Sequence, residues 1–274
     1  MYPRYRLPRI FLCPQLLMTS PGLGCVLFQP ESGAWLQALP VFSLGLRLDD
    51  TTVHIGVALR LGLSVCVPHT CRLCGASVDS LGLHGLTCKK GNRSFHRHDA
   101  VNEVVHRALS SAGISSTLEP SGLSCSDGKR HDGMTLIPWE NGKPLLWDAT
   151  VPDSLAVSYR SQAIAATGAV AAFAESRKMS KYTNLPQSLL FCPLAIESLG
   201  ALGPRSRHLI HHLDRRIRHL MGEENSTSYL LQRLSVAVQR GNTSLIRDSL
   251  PLGPSLTLVA DPAVTGSGSW QKLN

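Results

Sequence analysis

No stretch of this 274-residue chain approaches the roughly 20 consecutive apolar residues that a membrane-spanning helix requires. The alanine-rich run at 163–174 is too short for that and fits better as a helix packed closely on a sheet. The opening residues, with arginines among Ile10, Phe11, Leu12, Leu16 and Leu17, weakly imitate a signal or transit peptide interrupted by Pro8 and Pro14, and no location is built on them. Acidic side chains are scarce, 19 against 27 Lys and Arg, which leaves a net charge of +8. A field of that sign attracts polyanions, and Lys and Arg contacts to phosphates release counterions, so binding to nucleic acid is expected to weaken with salt. Nor is there a disulfide framework. Four of the 8 cysteines crowd or nearly crowd one segment, while Cys13, Cys25, Cys125 and Cys192 lie far apart, the pattern of a reducing compartment. Nucleus or cytoplasm is the expected location, with no membrane partner and no secretion.

The crowded segment is Cys71-x-x-Cys74, His84 and Cys88. Three thiolates and an imidazole suit tetrahedral Zn²⁺, and Gly75, Gly82 and Gly85 permit the tight turns of a small site. With all four positions filled by protein, such a zinc is structural. Cys66, His69, His96 and His98 are close enough in sequence to compete as ligands. A thioredoxin-like role for Cys71 and Cys74 is disfavoured, because no strand feeding a long helix surrounds them.

Downstream, Val101, Val104, Val105, Ala108 and Leu109 recur at helical spacing, with Gly113 as a stop. A strand is expected near 114–118, then a hairpin with arms at 134–139 and 144–151. Asn141-Gly142 at its tip tolerates the positive φ of a type I′ turn. A single helix is expected over 152–182. The order is therefore α-β-β-β-α, an α/β (α+β) core with a small mixed sheet flanked by helices. Two further helices follow: 206–221, with Leu209, Ile210, Leu213, Ile217, Leu220 and Met221 as its apolar face and Arg215, Arg216 and Arg218 opposite, and 229–250. Texture divides the chain into an irregular stretch (1–33), a helical linker (34–67), the knuckle (68–96), the core (97–192), basic helices (193–250) and a disordered tail (251–274).

Chemistry concentrates on Asp132 and Asp148, placed on opposite arms of the hairpin so that cross-strand pairing brings them within one metal's reach. Each has a plain alternative, Asp132 as a turn residue before Gly133 and Asp148 as a strand-end cap. Asp148, inside the apolar run at 145–151, is the harder to dismiss, since a buried carboxylate is costly unless paired or metal-bound. Lys178 and Lys181 share one face of the following helix. Two carboxylates and a lysine can hold a divalent metal and activate water, which points to phosphodiester cleavage.

The order Cys71-x-x-Cys74, His84, Cys88, then Arg97-His98-Asp99, Arg130-His131-Asp132-Gly133, Trp147-Asp148-Ala149-Thr150 and Lys178-x-x-Lys181-Tyr182 resembles the restriction-like endonuclease of early-branching, site-specific non-LTR retrotransposons. Those domains are similar to PD-(D/E)XK nucleases, and the resemblance covers about residues 65–190. It implies a restriction-endonuclease-like fold behind a CCHC zinc knuckle, catalytic Mg²⁺ or Mn²⁺ on Asp132 and Asp148, and a lysine moved onto the next helix, Lys178 or Lys181. It also implies a nick leaving 5′-phosphate and 3′-hydroxyl ends. Two departures stand out: His131 where a proline is usual, and Thr150 where the lysine of the common motif would stand. Glu103 is either a further acidic ligand or a solvated helix residue. Arg97, His98, Arg130, Tyr182, Arg215 and Arg216 are the candidate nucleic-acid contacts. The implied partner is DNA, with element RNA or a polymerase domain as further partners. No polymerase aspartate pair occurs here, so the chain is expected to be the C-terminal remnant of a longer reading frame or a gene captured from one. A catalytically inactive, zinc-stabilised DNA-binding or interaction module is the alternative. A ubiquitin-ligase-type adaptor is weaker, because after Cys88 no suitable cysteine appears until Cys125.

Overall fold

The structure, a computed structural model, describes residues 30–91, 93–121, 130–222 and 226–251. Cys13, Cys25, Cys125, nearly all of the expected irregular N-terminus and all but the first residue of the expected tail lie outside them. A 3-10 helix (Pro30–Gln37) precedes helix α1 (Asp50–Leu61). Asp49 caps α1 by accepting from the Thr52 N–H at 2.7 Å, and Gly62 ends it in the left-handed conformation at φ 67°. An antiparallel pair, β1 (His69–Thr70) and β2 (Ser77–Val78), leads into α2 (Leu83–Thr87) and the long α3 (Arg93–Ser111). Strands β3 (Ser116–Leu118), β4 (Gly133–Thr135) and β5 (Leu145–Thr150) follow, then α4 (Arg160–Ala165), α5 (Ala169–Lys181), β6 (Leu190–Ala195), α6 (Pro204–Met221) and α7 (Ser226–Ser249).

The four-stranded sheet has the order β3-β4-β5-β6, antiparallel for the first two pairings and parallel for the last, with α4 and α5 in the crossover. It is a small mixed sheet flanked by helices, as expected. Leu145, Trp147 and Ala149 join one core with Val101, Val105 and Leu109 of α3, Leu209, Ile210 and Leu213 of α6, and Leu234 and Val238 of α7. Full burial of Trp147 removes about 200 Å² from water and stabilises the fold by on the order of 5 kcal/mol. Its indole N–H donates to Asn102 Oδ1 at 3.2 Å, so the one polar atom is satisfied. The ring lies across its strand partner Gly133, where a Cβ would meet Cζ2 at 2.0 Å. Only glycine fits there.

Several expected boundaries move. Asn141 and Gly142 do turn with φ 51° and 72°, and Glu140 bridges Lys143. The arms, however, are unequal: Leu136, Ile137 and Pro138 loop out between Thr135 and the tip, and Thr135 Oγ1 bridges the gap by accepting from the Leu145 N–H and donating to Ile137 O. The segment 152–182 is not one helix; it breaks at Thr167-Gly168, with Gly168 at φ 78°. A fourth strand was not expected, and β6 crosses the anticipated boundary at 192. Pro193 sits within it without penalty because β6 is an edge strand, where a missing N–H costs no ladder bond. On α6, Leu220 and Met221 are exposed rather than part of the buried face, whose place is taken by Ser206 and Asp214.

Candidate functional site

The register Gly133↔Trp147 and Met134↔Leu146 puts Asp132 opposite Asp148 at the end of the β4–β5 pairing. Residues directly opposite on antiparallel strands share a face. Asp132 Oδ2 accepts from the Ala149 N–H at 2.5 Å and lies 2.8 Å from His98 Nε2. From α5, Lys178 Nζ reaches Asp148 Oδ1 at 2.6 Å. His98, Asp132 and Asp148 each offer one ligand atom within 4.8 Å of the others. They line an open cleft of about 780 Å³ with Arg130, Lys181 and Tyr182.

Burial raises the Asp148 carboxyl, but the adjoining Lys178 ammonium and the Tyr182 hydroxyl outweigh it and hold it below its ordinary range. Burial likewise works against a charged His98, yet its hydrogen bond to Asp132 and the charges of Asp132 and Asp148 leave it raised. His131 is buried with its ring 4.7 Å from that of Tyr182 and 6.0 Å from that of Phe191. Desolvation lowers its pKa. Its ring packs with those of Tyr182 and Phe191, which themselves meet at 4.8 Å.

The candidate residues separate. Asp132, Asp148 and Lys178 come together, while Lys181 lies further along the cleft with its ammonium 4.9 Å from the Tyr182 ring. Glu103 does not join them: it pairs with Arg107 at 2.6 Å on the exposed side of α3, beside a different recess. Arg97 is also spent internally, donating to Asn242 Oδ1 at 2.7 Å and to Val151 O at 3.2 Å, with burial lowering its pKa to about 10. Arg130 is exposed at the cleft, 3.8 Å from Glu119. Arg216 covers the Trp139 ring at 4.6 Å and donates to Trp139 O, which fastens the hairpin tip to α6. Arg215 faces solvent on α6. Sequence reasoning missed Asn102, buried between Trp147 and His98; the i, i+4 spacing of His98 and Asn102 was the available signal. It also missed Glu197, whose Oε1 accepts from the Ala171 N–H at 3.1 Å and so holds the first turn of the helix that carries Lys178.

The second cluster is Cys71, Cys74, His84 and Cys88, whose ligand atoms also lie within 4.8 Å of one another. Cys71 and Cys74 occupy the tip of the β1–β2 hairpin, where Gly75 at φ 78° donates to Cys71 O, and α2 delivers His84 and Cys88. Cys71 Sγ and Cys88 Sγ are 3.9 Å apart and Cys74 Sγ lies 3.1 Å from His84 Nε2. A tetrahedron with Zn–S bonds of about 2.3 Å has edges of about 3.8 Å, so the donor set fits zinc in chemistry and in spacing. The competing residues are committed elsewhere: Cys66 donates to Asp79 O, His69 bonds backbone oxygens, and His98 faces the carboxylates. His96 is exposed on α3 beside the recess that Glu103 lines.

Fold and sites together define a mixed α/β domain that combines a carboxylate–lysine cleft with a Cys₃His cluster. No family model matches the chain. It is similar to the Retrotransposable element SLACS 132 kDa protein of Trypanosoma brucei gambiense, with 24% identity over 225 residues. That stretch covers 79% of this chain and 19% of the relative, so the chain spans about a fifth of that protein's length.

Proposed function

We propose that this chain is the DNA endonuclease part of a retrotransposon-derived protein, a metal-dependent hydrolase of PD-(D/E)XK type that nicks phosphodiester bonds. Its distant relation to a retrotransposable element protein supports the origin. The observation that carries the chemistry is the convergence of Asp132 and Asp148, from opposed positions on adjacent strands, with Lys178 from the crossover helix. Three antiparallel strands, a helical crossover and a parallel fourth strand agree with a nuclease core of that type.

The donor set fits a hard divalent cation: two carboxylates at an open cleft, one buried and each already fixed by hydrogen bonds. Bound there, Mg²⁺ or Mn²⁺ supplies Lewis acidity toward the phosphate and a lowered pKa for its water. Asp132 and Asp148 hold the ion. Lys178, kept beside Asp148, orients the attacking water and offsets charge developing on the phosphate. Arg130 and Lys181 at the cleft attract the strand, and Tyr182 offers a ring and a hydroxyl beside it.

The test is purified protein with supercoiled plasmid and Mg²⁺ or Mn²⁺, against an EDTA control and Asp148→Ala. Metal-dependent nicking that falls at least about 100-fold in the variant is the expected result. A folded wild-type protein that shifts DNA in a gel but never nicks it turns the reading into an inactive binding module.

A further inference from the structure

The cleft contains a chain of hydrogen bonds whose direction can be deduced from its core end outwards. Trp147 Nε1 can only donate, so the Asn102 atom 3.2 Å from it is the carbonyl Oδ1. That fixes the amide the other way round toward His98: Asn102 Nδ2 stands 3.3 Å from His98 Nδ1, and an NH₂ group can only donate. His98 Nδ1 is therefore the acceptor, and in the neutral ring the proton resides on Nε2. The surroundings of Nε2 agree independently. Its two neighbours, Asp132 Oδ2 at 2.8 Å and Ala149 O at 3.2 Å, are both acceptors. Asp132 Oδ2 thus receives two donors, His98 Nε2–H and the Ala149 N–H.

We propose that Trp147, Asn102 and His98 form a relay that locks His98 as a positioning residue for Asp132, so that Asp132 offers Oδ1 alone to the metal and His98 is not itself a ligand. The proposal rests on the nuclease reading for its consequence, though not for its geometry. Trp147 is wholly buried and Asn102 nearly so, which holds the amide in one orientation, while the other group near Nδ1, Asp99 Oδ1 at 3.7 Å, lies beyond hydrogen-bond distance. Arg97, one residue before His98, ties the start of α3 to Val151 O and to Asn242 on α7, so the imidazole is aimed at the end of β5 by two elements at once. A ligand carboxylate held from behind in this way keeps one orientation when metal and substrate come and go. Of the three side chains within ligand distance of one another, the structure thereby assigns two to the metal and one to their support.

The experiment begins with the unmodified chain. Two-bond ¹⁵N–¹H spectra of its histidines are recorded at alkaline pH, where the rings are neutral, and the His98 signals are identified by their loss in His98→Gln. An Nε2–H tautomer is expected. An Nδ1–H tautomer overturns the relay and returns Nε2 to the metal. Mn²⁺ affinity, read by electron paramagnetic resonance, is then compared in the unmodified chain, His98→Ala and His98→Gln. His98→Ala is expected to weaken Mn²⁺ binding and to lower kcat for nicking roughly 10–100-fold with KM little changed. His98→Gln, whose side-chain NH₂ can still donate to Asp132, is expected to recover most of both. Failure of glutamine to rescue, with the variant folded, makes His98 a ligand and overturns the proposal. An unmodified chain that shows the Nε2–H tautomer and binds Mn²⁺ yet never nicks DNA defeats the nuclease reading while leaving the relay in place.

Discussion

At the scale of single residues, the structure gives different surroundings to two lysines that sequence spacing left equal. Lys178 Nζ is 2.6 Å from a carboxylate whose side chain is 6% exposed, whereas Lys181 leans on the Tyr182 ring. Lys178→Met is therefore expected to cut nicking at least about 100-fold, as loss of a charge aimed at the reacting phosphate does. Lys181→Met should cost less than about tenfold. Single-turnover plasmid cleavage measures both, and the reverse ranking would move the catalytic assignment to Lys181. Removing Lys178 also strands the buried Asp148, so a loss of stability should accompany it. Glu197 makes a different prediction. Fully buried, it is pushed up to about 7 by desolvation, against the backbone N–H groups of Ala171 and Val170, from an ordinary 4.5. Its protonated form is favoured on folding. The stability this brings is complete below about 4.5 and is lost as pH rises through about 7, by on the order of 3 kcal/mol. Glu197→Gln should remove that slope, and urea unfolding at pH 5 and pH 8.5 would show the variant gaining on the wild type only at the higher pH.

Among the elements, legibility followed periodicity. Helices α3, α6 and α7 were visible because their apolar residues recur every three or four positions, and the Asn141-Gly142 turn because few residue pairs accept two positive φ values. What stayed hidden depended on tertiary context. Strand β6 contains Pro193, which argues against a strand until its place at the sheet edge is known. The excursion at Leu136-Ile137-Pro138 depends on one threonine hydroxyl replacing a ladder bond. At the site, the two aspartates were legible from the hairpin, and His98 was legible as a candidate contact but not as the partner of Asp132; Asn102 went unread, because helical spacing pairs it with His98 without saying which face of α3 meets the end of β5. The clustering of Cys71, Cys74, His84 and Cys88 was legible, and the docking of their segment was not. Arg72 donates to Asp248 O at 2.6 Å and pairs with its carboxylate, and Gly85 lies so near α7 that a Cβ would meet Ile246 Cα at 2.8 Å. Stripping zinc with a strong chelator should therefore loosen the C-terminal turns of α7 as well as the knuckle. Hydrogen exchange at residues 245–250 should rise, and the thermal midpoint should fall by about 5 °C or more, as expected for ligand-linked stability. An unchanged midpoint in a protein shown by metal analysis to have lost its zinc would mean that the cluster is not a structural metal site.

Across the whole molecule, no helix among the described residues is long and apolar enough to cross a membrane, and the excess of 8 positive charges must be placed somewhere. Part of it flanks the cleft at Arg130 and Lys181, and part lies on the outer face of α6, where Arg215 is exposed and Arg218 is paired with Asp214. The hairpin joins these two regions, with Asp148 at one end and its tip held on α6 by Arg216 and Trp139. Six residues of strand span roughly 20 Å, the length of about six base pairs of duplex. A duplex cut at the cleft and lying along the hairpin would thus carry phosphates to the face of α6. Each phosphate neutralised adds about 0.9 to the slope of log affinity against log salt, so Arg215→Ala should flatten that slope by about 1 on a long duplex. On a duplex ending within a few base pairs of the cut on that side, the same substitution should change nothing. Anisotropy titrations over a salt series separate the cases. Equal effects on both duplexes would mean that DNA leaves the cleft in another direction, and no effect on either would assign the basic face of α6 to solvation alone.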